Sequence, residues 1–135
     1  MSQLSEKHVV TCFLECQGKI LLLKRSERVG SFRGRWAGVS GFIETSADEQ
    51  SLTEIREETG LAADDVSLLK KGEVMAAEDE GIRWVVHPYL FRISDRNKIR
   101  TDWEHCDLCW ISPAEIEDYP TVPMLKEALE RVYPF

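Results

Sequence analysis

A chain of 135 residues has the size of one domain and can bury a core without disulfides or a partner. Hydrophobic residues make up 43% and charged residues 30%, a globular balance that excludes wholesale disorder. The net charge of −7 and the pI near 5.0 argue against a broad nucleic-acid or anionic-membrane footprint and favour a small ligand.

In chain order, MSQLSEKHVV has no basic start followed by a long apolar run. No later stretch approaches the ~20 apolar residues that span a bilayer, so a cytoplasmic location without membrane contact is expected. VVTCFLEC and KILLLKR predict two strands within residues 8–25, joined by a tight turn at Gln17-Gly18. Ser26 to Arg35 is a polar, glycine-punctuated loop carrying Arg25, Arg28, Arg33 and Arg35 on and around it, readable as a solvated basic loop or as a phosphate contact. Trp36 to Ile43 predicts a strand whose glycines permit close backbone approach.

A helix is expected over Ala47–Thr59, with Ser46 as N-cap, Glu49 completing a capping box, and Gly60 ending it in the left-handed conformation. Val66–Ala77 and Arg83–Ser94 predict strands joined near Asp79-Glu80-Gly81, and Cys106–Ile111 predicts a last strand. Ser112-Pro113 opens a short helix, and Val122–Val132 an amphipathic one with Leu125, Leu129 and Val132 on a stripe. Strands on both sides of a central helix imply a mixed sheet covered by helices. Cys12, Cys16, Cys106 and Cys109 match no common zinc spacing and are read as reduced thiols.

The central helix ends in EIREETG. At about 100° per residue from Leu52, Ile55 and Thr59 form a narrow inward face, while Glu57, Glu54 and Glu58 fall together on the other side. Arg56 lies away from them, so their repulsion, roughly 0.2–0.5 kcal/mol per pair, needs another source of relief. Carboxylates one turn apart suit a hard divalent cation, although a solvated acidic face would carry the same letters.

The wider run, GVSGFIETSADEQSLTEIREETGL from Gly38 to Leu61, resembles the signature of the Nudix hydrolases. That signature is a glycine turn, a glutamate, and then a helix reading Arg-Glu-apolar-x-Glu-Glu-x-Gly-apolar. The LLLKR strand, the Trp-x-Gly approach to the turn and the late Trp110-Ile111-Ser112-Pro113 extend the likeness over nearly the whole chain. Two departures stand out. Thr53 occupies the position of the arginine that orients the helix carboxylates in the family, and it has neither that charge nor that fork. The turn is also rebuilt, with Gly38 and Gly41 on either side of the usual glycine spacing and Glu44 standing in for the early glutamate.

The resemblance implies an α/β fold, a Nudix-like α/β/α sandwich with a mixed β-sheet and a central catalytic loop-helix, as a single domain over residues 1–135. It implies hydrolysis of a pyrophosphate bond in a nucleoside diphosphate linked to another group, with Mg2+ or Mn2+ as cofactor. By motif position Glu57 and Glu58 are metal ligands, and Glu54 is a further ligand or the base that orients water. Glu104 is a candidate catalytic glutamate from outside the box, and His105 beside it is read as structural. Arg25, Arg33 and Arg35 are candidate phosphate contacts, with Gly41 lining the substrate and Gly38, Gly41 and Glu44 forming the turn. Phe32, Trp36, Trp84 and Trp103 could stack on substrate or belong to the core. A homodimer is an inheritance from the family. Thr53 and the altered turn motivate an alternative, a non-catalytic Nudix-fold nucleotide-binding module, while the acidic balance argues against RNA decapping.

Overall fold

The computed structural model describes residues 5–133. Strands β1 (Ser5–Cys16) and β2 (Lys19–Arg25) turn back through Gln17 and Gly18, at φ 53° and 80°. They pair only at the base of this hairpin, Glu15 with Ile20 and Cys16 with Lys19. Beyond that point they diverge, and the chain after the basic loop fills the edge they leave. Residues 36–43, expected as one strand, therefore divide into β3 (Trp36–Ala37), paired to β2, and β4 (Val39–Phe42), paired to β1. Gly38 sits at the changeover, where a Cβ would come within 2.9 Å of the Cys12 carbonyl oxygen. A side chain there would push the strand off its new partner.

The other edge of β1 pairs in parallel with β7 (Ile82–Ile93), from Ser5 opposite Ile82 to Glu15 opposite Arg92. The expected strand over Val66–Ala77 is in fact two, β5 (Val66–Lys71) and β6 (Met75–Asp79), both antiparallel to β7. The break falls at Gly72, whose Cβ would meet Val132 Cγ1 at 2.8 Å and the Arg131 carbonyl at 2.9 Å. There the chain passes too close to the last helix to carry a side chain. Strand β8 (His105–Ile111) closes the outer edge of β2.

Helix α1 (Ala47–Thr59) has the expected bounds. Ser46 Oγ accepts the Glu49 N–H at 3.2 Å, and Gly60, at φ 77°, donates its N–H to the Arg56 carbonyl. The reciprocal half of the capping box is missing, because the Glu49 carboxylate takes the Thr45 hydroxyl instead. Asp48 in the first turn is held by Tyr89 at 2.5 Å and Lys71 at 2.9 Å, which ties the helix start to β7 and β5. Helix α2 (Leu125–Val132) begins three residues later than the stripe suggests, since the Val122 N–H bonds to the Trp36 carbonyl and Met124 is left-handed at φ 70°. The helix at Pro113–Asp118 is a 3-10 helix.

The two α-helices cover opposite faces of the sheet. Val10, Cys12, Leu14, Leu21 and Leu23 point to the α1 face, whereas Phe13, Ile20 and Leu22 point to α2. Burial on both faces explains why KILLLKR is a continuous apolar run rather than an alternating one. Among the described residues no helix is long and apolar enough to cross a membrane.

Gly60→Ala should cost about 1–2 kcal/mol, because a side chain is strained in the left-handed region. Gly30→Ala, with nothing within 4 Å of its Cβ and no positive φ, should stay within about 0.5 kcal/mol of wild type. Urea midpoints of the two variants check the contrast.

Candidate functional site

The helical wheel puts Ile55 and Thr59 inward, as the structure does, but sets the edges of the buried face of α1 wrongly. Leu52 is 38% exposed, and the residues that face the sheet are Gln50, Ser51, Ile55, Glu58 and Thr59. Two of the polar ones satisfy themselves within the helix, Ser51 Oγ donating to the Asp48 carbonyl at 2.7 Å and Thr59 Oγ1 to the Ile55 carbonyl at 2.6 Å. They pack inward without unpaired hydroxyls, and the buried stripe shifts toward the glutamates. Glu58, expected outward, is 3% exposed; Glu54 is half-buried, and of the three only Glu57 is exposed.

Glu54 lies directly on Gly41 of β4. A Cβ at Gly41 would come within 2.2 Å of the Glu54 Cδ and Oε1, so the absent side chain is the space in which this carboxylate sits. Gln50, one turn earlier, donates from Nε2 to Glu54 Oε2 at 3.1 Å and accepts the Glu44 backbone N–H on Oε1 at the same distance. One amide thereby fixes the helix carboxylate to the turn that precedes the helix. Burial raises the Glu54 pKa above the usual carboxylate value; the Gln50 hydrogen bond opposes this, and the charges of Glu57, Glu104 and Glu44 add to the rise.

Glu58 is more extreme. Burial, then the charges of Glu54, Glu104 and Asp102, push its pKa well above 4.5, with a backbone hydrogen bond from Ser40 in the other direction. Its Oε2 is the one buried side-chain oxygen or nitrogen without a hydrogen-bond partner among the described residues. Its Oε1 lies 3.6 Å from Nε2 of the buried His105, whose Nδ1 is 2.9 Å from Asp102 Oδ1. Beneath these groups is Cys12, its thiol pKa raised by burial and then by Glu58 and Glu54.

A desolvated carboxylate with an orphaned oxygen beside a second, partly desolvated one is costly unless a cation relieves it. Hard oxygen donors of this kind suit Mg2+ or Mn2+, so the residues present fit the cofactor that the box implies. Among the described residues no three acidic, histidine or cysteine side chains already converge on one point, so the fit is one of donor chemistry and charge.

A cleft of about 670 Å³ opens beside this cluster, within the usual range of ligand sites. Gly41, Glu104 and Arg25 line it. Arg25 Nε donates to the Ser31 carbonyl at 2.9 Å, which holds the guanidinium against the basic loop. Arg33 and Arg35 are absent from the cleft lining; they bond the carbonyls of Val29 at 2.8 Å and Thr121 at 3.1 Å. Phe32 and Trp84 line the cleft, while Trp36 packs edge-on against Tyr119 and Trp103 lies outside it, beneath Arg28. Gly38 is a strand-changeover residue, and Glu44 is an exposed turn residue whose charge reaches Glu54.

Sequence reasoning missed Gln50, Asp102 and Phe42. The first two had a signal, glutamine four residues before a glutamate and aspartate three before a histidine, each able to meet across one turn. Phe42, 55% exposed and stacked on Trp84 with ring centroids 6.1 Å apart, follows Gly41 and so points to the opposite side of β4 from its neighbour. Lys7 Nζ lies 5.7 Å and 5.8 Å from the centroids of these two rings.

The model of the NUDIX domain matches residues 5–133. The CTP pyrophosphohydrolase of Escherichia coli (strain K12) is 29% identical over 118 residues, which is 85% of this chain and 82% of that protein. Among solved structures, the E. coli ORF135 protein superposes with a TM-score of 0.73 at 25% identity, covering 95% of this chain and 89% of that one. The MutT protein from Methanosarcina mazei Go1 gives 0.76 at 21% identity, covering 98% and 96%, and so speaks for the fold.

Gly41→Ala should displace Glu54 while sparing the fold, because the atoms it meets are the end of a flexible side chain. A shift of about 1 Å in such a group can cost about 10²-fold in rate. The expected result is a fall of that order in kcat with a melting temperature close to wild type.

A carboxyl group whose folded pKa is raised contributes stability below its unfolded pKa and loses it as pH rises through the folded value. With cations chelated, Glu58→Gln should therefore gain stability over wild type as pH rises above 4.5, the ordinary glutamate value. Urea denaturation of both proteins across pH 4 to 8 checks the sign, and equal pH slopes would refute it.

Proposed function

The chain belongs to the Nudix hydrolases, and from that premise we propose a cation-dependent pyrophosphohydrolase that takes a small nucleotide, a nucleoside diphosphate joined to a further group. The observation that carries this is the buried Glu58 carboxylate with its orphaned oxygen, beside Glu54 and next to a cleft lined by Glu104 and Arg25.

Glu57 and Glu58 would hold the divalent cation, Mg2+ or Mn2+, and so keep the negative substrate from direct contact with their carboxylates. The cation, when bound, supplies Lewis-acid polarisation of the phosphoryl oxygens. Water forms a new bond to phosphorus as the bridging P–O bond breaks and its oxygen leaves with the electron pair. Glu54 receives the water's proton. Its pKa is raised by burial and by neighbouring charges, which brings it toward the range where a base works at neutral pH. Gln50 keeps the accepting carboxylate in register, and Gly41 leaves it room.

Arg25 binds phosphate oxygens from the side of the basic loop. The base rests on the aromatic wall of Phe32, Phe42 and Trp84, where stacking is tolerant of base identity. The CTP pyrophosphohydrolase among the relatives puts nucleoside triphosphates first among substrates to test.

The purified protein should hydrolyse at least one of nucleoside triphosphates, nucleotide sugars, dinucleotides or dinucleoside polyphosphates with Mg2+ or Mn2+. Glu54→Gln should lower turnover by about 10²–10⁴-fold, the usual worth of a general base. Glu104→Gln should lower kcat more than it raises KM. If no substrate turns over above the Glu57→Gln background, a nucleotide-binding module replaces this reading.

A further inference from the structure

Glu58 is braced from outside its own helix. The turn Asp102–His105 is closed by the His105 N–H on the Asp102 carbonyl at 3.2 Å, and it is pinned to the basic loop by Ser26, whose N–H and hydroxyl donate to the carbonyls of Glu104 and Trp103 at 2.7 Å and 2.9 Å. Where β8 then joins β2, Lys24 faces Asp107 but Arg25 faces His105, so the ladder carries a bulge at Cys106. A bulge re-aims the side chains around it. Here it leaves Cys106 and Asp107 both outward and turns His105 in, its side chain 1% exposed.

The imidazole is thus enclosed between two carboxylates, with Asp102 hydrogen-bonded at Nδ1 at 2.9 Å and Glu58 Oε1 in charge contact with Nε2 at 3.6 Å. Asp102 fixes the ring plane, and the ring in turn limits where Glu58 Oε1 can go. This is the arrangement by which an outer group orients a metal-ligating carboxylate. On the helix itself nothing does so, since Thr53 stands where the box has its arginine and Arg56 is exposed on the far side. Gln50 holds Glu54 but does not reach Glu58 in the hydrogen bonds it makes.

We propose that His105, locked by Asp102, is the positioning residue for Glu58 and supplies from β8 the brace that the box arginine would supply from the helix. The inference rests on the cation reading of the site. Gln50 then ties Glu54 to the turn before α1, and the Asp102–His105 pair ties Glu58, which also takes a backbone hydrogen bond from Ser40, to the strand that follows Glu104.

The test is Mn2+ binding to the substrate-free protein, followed by electron paramagnetic resonance, with melting temperatures measured alongside. His105→Phe should weaken Mn2+ binding by about 10–100-fold, the usual cost of losing an outer-shell partner. Asp102→Asn, at a partly exposed position, should weaken it in the same direction and serves if His105→Phe does not fold. Adding Thr53→Arg to either variant should restore most of the lost affinity. In the metal-free protein, Glu58→Gln should move the ring nitrogen resonances of His105. Wild-type Mn2+ affinity in a folded His105→Phe or Asp102→Asn variant, no rescue by Thr53→Arg, or unmoved His105 resonances would each overturn the proposal. Failure of the wild type to bind Mn2+ at all would instead sink the functional reading on which it rests.

Discussion

A carboxylate buried with one oxygen unpartnered governs the architecture around it. Glu58 sits on the sheet-facing side of α1, where an apolar residue would stabilise the fold more, and burial together with Glu54, Glu104 and Asp102 works against its charge. Local rules are broken in this way at sites whose energy is recovered on binding. The surrounding structure is arranged to hold that unfavourable group still. Ser51 and Thr59 satisfy their own hydroxyls, so the helix can present a polar stripe to the sheet at little cost. Ile55 and Leu61, each 1% exposed, anchor it in the core beside the site.

The sheet contributes two close approaches. At Gly38 the chain changes partner from β2 to β1 within one residue, and three residues later Gly41 lets α1 descend until Glu54 occupies the place of a Cβ. Both glycines belong to one short segment because the changeover sets the height of β4 relative to β1, and β4 is the strand on which α1 rests. Glu44 joins the turn to the helix through its backbone N–H, which Gln50 accepts, and its side-chain charge reaches Glu54.

What was legible in the sequence was what local chemistry decides. Helix α1 has its bounds written in Ser46 and Gly60, and β2 reads directly from KILLLKR. What was not legible depended on distant partners. The divisions at Gly38 and Gly72 arise because Cys12 and the last turn of α2 come too close for a side chain, and no window of sequence around either glycine contains that neighbour. The inward face of Ile55 and Thr59 was legible from periodicity, but the burial of Glu58 was not: with the Ser51 hydroxyl satisfied inside the helix, the buried stripe turns away from Leu52 toward the glutamates. Of the three arginines chosen for their forks, only Arg25 lines the cleft, since charge identifies a phosphate-binding side chain and loop geometry decides where it points. The Nudix box, by contrast, was legible through residue types at fixed spacing, and it remained so with its arginine replaced.

That replacement bears on how the site divides its labour. In this chain the helix carries the carboxylates, while contacts that hold them come from a glutamine in its own first turns, from the Ser40 backbone, and from the turn before β8 and the bulge at its start. The same turn carries Glu104 into the cleft, and Ser26 pins that turn to the loop that carries Arg25. The cluster of carboxylates, the cationic side of the cleft and the last strand are therefore mechanically joined through a few hydrogen bonds near Ser26. The aromatic wall of Phe42 and Trp84 has no part in that chain of contacts. On the proposed nucleotide reading, a change along β4 and β7 would alter the aromatic wall without disturbing the acidic cluster, whereas a change in the Ser26–His105 region would reach Arg25 and the carboxylates together.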